Sequence, residues 1–79
     1  MFIVYILRNS SGKMYIGQTE NLLVRLIDHN EIGRGYTSKY RPWTLIHQEI
    51  YDTRAEAIKR ECYLKTGAGR DWIKRTVRA

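Results

Sequence analysis

Glu61 stands where a carboxylate is costly. Residues 53–66 carry apolar side chains at helical spacing. Counted at about 100° per residue from Ile58, Ala55, Ile58 and Cys62 fall between about 0° and 60°, and Ala57 and Leu64 at about 240–260°. Glu61 falls at about 300°, inside that apolar arc. A carboxylate there must be paired or must bind a cation. Lys65, one turn on, offers an i,i+4 pair in the favourable order, worth about 0.2–0.5 kcal/mol. On spacing alone the pair is the better reading. Four further side chains with chemistry to offer lie upstream: the phenols Tyr5 and Tyr15, the guanidinium Arg25 and the imidazole His29. A neutral-range imidazole can move a proton, and a guanidinium can grip an oxyanion with two parallel bonds.

The elements decide whether these groups can meet. Residues 2–8 (FIVYILR) are rich in β-branched and aromatic types and read as a strand. Asn9-Ser10-Ser11-Gly12 is a turn cluster, and residues 14–18 (MYIGQ) a second strand. A loop closing symmetrically about Ser11 puts Tyr5 opposite Gly17 and Leu7 opposite Tyr15. Tyr5 and Tyr15 are then diagonal neighbours on one face, about 7–8 Å apart at Cα. An even-numbered loop would send them to opposite faces. From Asn21, a plausible N-cap, the period turns helical. Leu22, Leu23, Leu26 and Ile27 form the apolar stripe, and Arg25 and His29 sit one turn apart along its edge. Residues 31–42 are a loop broken by Gly33, Gly35 and Pro42, which interleaves Arg34, Lys39 and Arg41 with Tyr36 and Tyr40. Trp43–Tyr51 is a third strand. Thr53-Arg54-Ala55-Glu56 has the form of a capping box and opens the helix that bears Glu61. Gly67-Ala68-Gly69 ends that helix, and residues 71–77 form a short last one. Trp43, Leu45, Ile50, Ile58 and Cys62 are expected in the core, and His47 is read as structural.

Composition narrows the field. The chain has 79 residues, 43% apolar and 28% charged, which is globular and not disordered. At this length one domain over residues 1–79 is the ceiling, burying only roughly 60% of the surface its unfolded chain exposes. A large cofactor pocket and a multi-domain enzyme are excluded. The longest apolar run, residues 2–7, is far short of the roughly 18 residues of a membrane span. It has neither the basic lead nor the cleavage site of a signal peptide. The lone Cys62 rules out an intramolecular disulfide and a CxxC motif. A cytoplasmic protein follows as the expectation, and Met1 suggests a complete, free-standing one. The net charge of +6 is uneven. Residues 1–53 hold six basic and five acidic groups, residues 54–79 eight and three. Such an excess points toward a polyanionic partner.

These residues resemble the GIY-YIG nuclease family, whose members include small stand-alone proteins and the N-terminal catalytic domain of an excinuclease. Ile3-Val4-Tyr5 matches the first motif and Tyr15-Ile16-Gly17 the second. Arg25 follows in a Leu-x-x-Arg-Leu-x-x-His setting with His29, and residues 56–61 look like the family's metal-binding helix. Ile3 stands where the first motif has glycine, and no asparagine occurs beyond Asn30, although many members carry one after the metal glutamate. The resemblance implies an α+β fold: a small, mainly antiparallel three-stranded sheet flanked by helices. It implies a metal-dependent DNA endonuclease hydrolysing phosphodiester bonds. Glu61 would hold one divalent ion, Mg²⁺ or Mn²⁺, with waters and the scissile phosphate completing its shell. Arg25 would contact the phosphate. Tyr15 would orient or deprotonate the attacking water, with Tyr5 beside it and His29 as proton shuttle or partner of Tyr15. Which of Tyr5, Tyr15 and His29 is the base is left open. Arg34, Lys39, Arg41, Lys65, Arg70 and Lys74 would grip the DNA backbone. Tyr36, Tyr40 or Trp72 would stack on exposed bases.

Low intrinsic sequence specificity follows from the small size, so action directed by DNA structure, in repair or recombination, or by a partner protein is expected. A non-cleaving nucleic-acid-binding module of the same fold is the second hypothesis, and a protein–protein adaptor the third.

Overall fold

A computed structural model describes residues 1–32 and 39–77. Three strands form one antiparallel sheet in the order β2-β1-β3: β1 Phe2–Asn9, β2 Met14–Thr19 and β3 Trp43–Tyr51. Helix α1 spans Leu22–Ile27 and runs into a π-helical turn, Asp28–Ile32. Helices α2, Arg54–Leu64, and α3, Gly67–Thr76, close the chain. This is the α+β arrangement expected from the sequence.

The central strand explains the layering. Val4, Tyr5, Ile6 and Leu7 are all buried, so β1 is covered on both faces and reads as an unbroken apolar run. Val4, Ile6 and Ile16 pack with Ala57, Leu64 and Ile73 on the face covered by α2 and α3. Tyr5, Leu7 and Trp43 pack on the opposite face, with Leu22 and Leu26 of α1 and with Tyr15, Tyr40 and Leu45. The β1–β2 register is the symmetric one: Tyr5 faces Gly17 and Leu7 faces Tyr15. Asn9 fixes it, because its Oδ1 accepts from Ser11 Oγ at 3.1 Å and from Lys13 N at 2.8 Å. Gly12 closes the turn at φ 88°, a conformation that disfavours other residues. On the other side a bulge at Ile46 shifts the register between Ile6–His47 and Leu7–Leu45.

Several expectations are corrected. Leu23 and Ile27 are exposed and not part of the buried stripe. A six-residue helix presents only the Leu22–Leu26 line to the sheet before it widens. Helix α2 turns Ala57 and Leu64 inward, so Ile58 and Cys62 face outward. Two apolar arcs were available, and the one with alanine and leucine faces the sheet. Ile50 pairs with Ile3 and is exposed. Trp43 is buried and Leu45 packs beside it as expected. Gly67 and Gly69 do not terminate α2. Lys65 caps it, and Thr66 N-caps α3 by accepting from Gly69 N at 3.1 Å. A Cβ on Gly69 would lie 2.5 Å from Leu64 Cα, so glycine lets α3 start hard against the end of α2. His47, read as structural, has a partner that the sequence did not reveal, Glu49 at 2.9 Å.

Candidate functional site

Residue chemistry converges on the α1 face of the sheet. The Tyr5 and Tyr15 rings stack at 6.3 Å between centroids with 29° between planes. That contact is the direct product of the hairpin register, since diagonal positions on one face bring long side chains together. Gly17 makes room for it. A Cβ there would lie 2.7 Å from the Tyr5 hydroxyl oxygen and 3.2 Å from Tyr15 Cε1. The phenol of Tyr5 therefore lies directly across the Gly17 backbone, and any side chain at 17 would displace it.

His29 completes the cluster. Its ring centroid lies 4.8 Å from Tyr15 and 5.9 Å from Tyr5, and its Nε2 is 3.0 Å from the Tyr5 hydroxyl. The imidazole is buried and reaches this position from the π-helical turn. Asn30, the next residue, pins the turn to β3. Its Nδ2 donates to the Trp43 carbonyl at 3.0 Å and its Oδ1 accepts from Trp43 N at 2.5 Å. Asn30 was not singled out by the sequence. Its only signal there is an amide-bearing residue at the end of a helical run.

Electrostatics sets the protonation states. Burial pushes the Tyr5 phenol far above the usual phenol range, and the neighbouring Tyr15 adds to it. The charge of Arg25 pulls it back, while that of Glu61 pushes it up further. Burial also lowers His29, helped by the Arg25 charge and opposed by Asp28. At neutral pH Tyr5 thus keeps its proton and His29 stays neutral. A protonated phenol and a neutral imidazole share one hydrogen bond at this distance, and the imidazole tautomer sets which of them donates.

Arg25 and Glu61 act on the cluster through their charges. Arg25 is half exposed on α1, with Asp28 at 3.6 Å. Glu61 is largely covered on α2 and pairs with Lys65 at 2.7 Å, the i,i+4 alternative of the sequence reading. The two charges bear on the Tyr5 hydroxyl in opposite senses. Among the described residues no three His, Cys, Asp or Glu side chains converge as a metal cage. The donors at hand are one carboxylate and phenolic oxygens. Such an all-oxygen set fits a hard cation that keeps most of its waters and takes a phosphate as ligand.

The basic residues divide between the faces. Arg41 lies at the α1 side, where its Nη1 donates to the Asn30 carbonyl at 3.4 Å and Tyr40 packs on the Tyr5 cluster; Lys39 precedes Tyr40 in the chain and is exposed. Lys65 ends α2, and Arg70 and Lys74 ride on α3, across the sheet from the phenols. Lys74 lines a groove there with Arg8, Met14 and Ile73. Trp72 packs on the α2–α3 side of the sheet. Arg34 and Tyr36 lie outside the described residues. No helix of the described residues is long and apolar enough to cross a membrane.

Known proteins resemble this chain in sequence and in fold. The GIY-YIG catalytic domain matches residues 1–73. A UPF0213 protein of Staphylococcus saprophyticus is 42% identical over 65 residues, covering 80% of this chain and 78% of its own. A UPF0213 protein of Staphylococcus aureus is 43% identical over 65 residues with the same coverage of both chains. The solution NMR structure of a UPF0213 protein from Bacillus halodurans superposes with a TM-score of 0.58 at 25% identity, covering 95% of this chain and 84% of that one.

Proposed function

The chain belongs to the GIY-YIG family, and from that premise we propose that it is a cytoplasmic, divalent-metal-dependent endonuclease that hydrolyses the DNA backbone with little sequence preference. The observation that carries this reading is the gathering of two phenols and a neutral imidazole over Gly17, with a guanidinium and a shielded acid acting on the same hydroxyl.

Phosphodiester hydrolysis needs an oriented water, charge stabilisation on the phosphoryl oxygens and help for the leaving group. Arg25 grips the non-bridging oxygens with its fork. Tyr15, the more accessible phenol, orients the attacking water. Tyr5 holds its proton, and its hydrogen bond to Nε2 orients the His29 ring. His29, kept neutral, accepts a proton at Nδ1 in the tautomer whose Nε2–H faces Tyr5. Glu61 would hold one Mg²⁺ or Mn²⁺, which supplies Lewis-acid polarisation of the phosphate when bound. Arg41 grips the backbone on the phenol side, and Arg34, Lys39, Lys65, Arg70 and Lys74 add further backbone contacts. Substrate structure or a partner protein supplies the selectivity that so small a domain lacks, in repair or recombination.

One observation favours the alternative of a non-cleaving nucleic-acid binder. Glu61 already has a cationic partner, Lys65. The test is nicking of plasmid, flapped and single-stranded DNA with Mg²⁺ or Mn²⁺, using Glu61→Gln and Arg25→Ala as controls. Metal-dependent cleavage lost in both variants is the expected result. Salt-sensitive binding with no cleavage under either metal would give the alternative instead, and no binding at all would leave an adaptor.

A further inference from the structure

A second polar cluster lies on the opposite face of the sheet. Glu49 of β3 accepts from Arg60 Nε at 2.9 Å and from Arg60 Nη2 at 3.1 Å. Tyr51 donates its hydroxyl to the same carboxylate at 2.6 Å, and His47 Nε2 meets it at 2.9 Å. The Arg60 guanidinium carbon lies 4.6 Å from the centre of the Trp72 ring. Both carboxylate oxygens are engaged, so the cluster offers no open coordination or reaction site. Its placement is what matters.

Arg60 and Glu61 are consecutive on α2. The buried line of that helix is Ala57 and Leu64. At about 100° per residue these two lie within about 20° of one another. Arg60 stands about 60° to one side of Ala57 and Glu61 about 40° to the other. The buried contacts of this helix lie on a single line, one of them an alanine. Off that line, among the described residues, its exposed first turn adds only the Arg54–Glu20 pair at 3.4 Å and Arg54 over the Phe2 ring. Only a contact off the line fixes the roll. The Arg60–Glu49 fork is such a contact, and two parallel N–H···O bonds fix an angle as well as a distance. It reaches to β3, on one flank of the central strand. Glu61 occupies the other flank of the helix. The same fork is tied to the phenols through the sheet, because Glu49 is the register partner of Val4, the residue before Tyr5.

We propose that the Arg60–Glu49 bridge is the positioning device for Glu61: it sets the roll of α2, and with it the side on which the acid meets the phenol cluster. The functional half of this inference rests on the reading of Glu61 as the cation-holding acid, while the roll itself is independent of it.

The test uses the full chain, ¹⁵N-labelled, as wild type, Glu49→Gln and Arg60→Lys. The first variant is nearly isosteric and the second keeps the charge but loses the fork. Residual dipolar couplings of the amides along Arg54–Leu64 oscillate with the helical period, and their phase reads the roll. The phase is expected to shift in both variants, and kcat for nicking to fall about 10–100-fold with KM unchanged. Tyr51→Phe removes one bond to Glu49 but leaves the fork, and is expected to match wild type in both readouts. An unchanged phase in Glu49→Gln and Arg60→Lys overturns the proposal. So does loss of the fold in both, which would make the bridge a general support and not a positioning device. If the wild type cuts no DNA while the phase still shifts, the reading of Glu61 fails and the roll stands.

Discussion

At the scale of single residues, the candidate site depends on an absent side chain. Gly17 is where the Tyr5 phenol crosses the backbone of the neighbouring strand. Gly17→Ala is expected to displace that ring, to cost about 1–3 kcal/mol by overpacking, and to abolish nicking; thermal denaturation and the plasmid assay check the two effects. His29 yields a prediction of pH dependence. Its folded-state pKa is lowered, so the unfolded chain binds the proton more readily. Stability therefore rises with pH up to about the unfolded value near 6.5 and gains nothing from this residue above it. His29→Gln should flatten that part of the stability–pH curve measured by urea titration. The phenol pair was legible in the sequence, because a period of two leaves only the parity of the turn to decide. The burial of His29 was not. A helical wheel assumes 3.6 residues per turn, and the π-helical widening at Asp28 rotates everything after it.

Elements were legible where local chemistry specifies them. The capping box at Thr53 is present in both its bonds, with Glu56 N donating to Thr53 Oγ1 at 3.2 Å and Thr53 N donating to Glu56 Oε1 at 3.2 Å. Thr53→Ala is expected to lower stability by about 1 kcal/mol, read as a shift of the urea midpoint at constant m-value. Which face of α2 is buried was not legible, because two apolar arcs competed and only tertiary packing chose. The bridge from β3 to α2 was likewise invisible, since Glu49 and Arg60 come from separate elements. It carries a pH signature of its own. Burial pushes the Glu49 carboxyl up, but the hydrogen bonds from Arg60, Tyr51 and His47 overcome this and hold it at about 2. A depressed folded value means that the stabilisation is full above the unfolded value near 4.5 and fades as pH falls toward 2. Acid titration of wild type against Glu49→Gln is expected to show about 2 kcal/mol of difference near pH 6, shrinking across that window.

At the scale of the whole molecule, size limits specificity. The protein measures 28 × 26 × 19 Å, so its longest axis spans roughly 8 base pairs at about 3.4 Å each. Less than one helical turn of contact leaves affinity to phosphate neutralisation. The charge excess of residues 54–79 pointed to a polyanion from composition alone, but composition could not say that the sheet separates α3 from the phenols. Arg41→Ala, on the phenol side, is expected to reduce the slope of log K against log salt by about 1, measured by fluorescence anisotropy on a short duplex. The most direct test of the central claim is single-turnover cleavage by wild type and Glu61→Gln at saturating DNA with Mg²⁺, with affinity measured on the same samples. Binding that stays within about twofold while the cleavage rate falls at least about 100-fold is the expected result. Equal cleavage rates in the two proteins would contradict it.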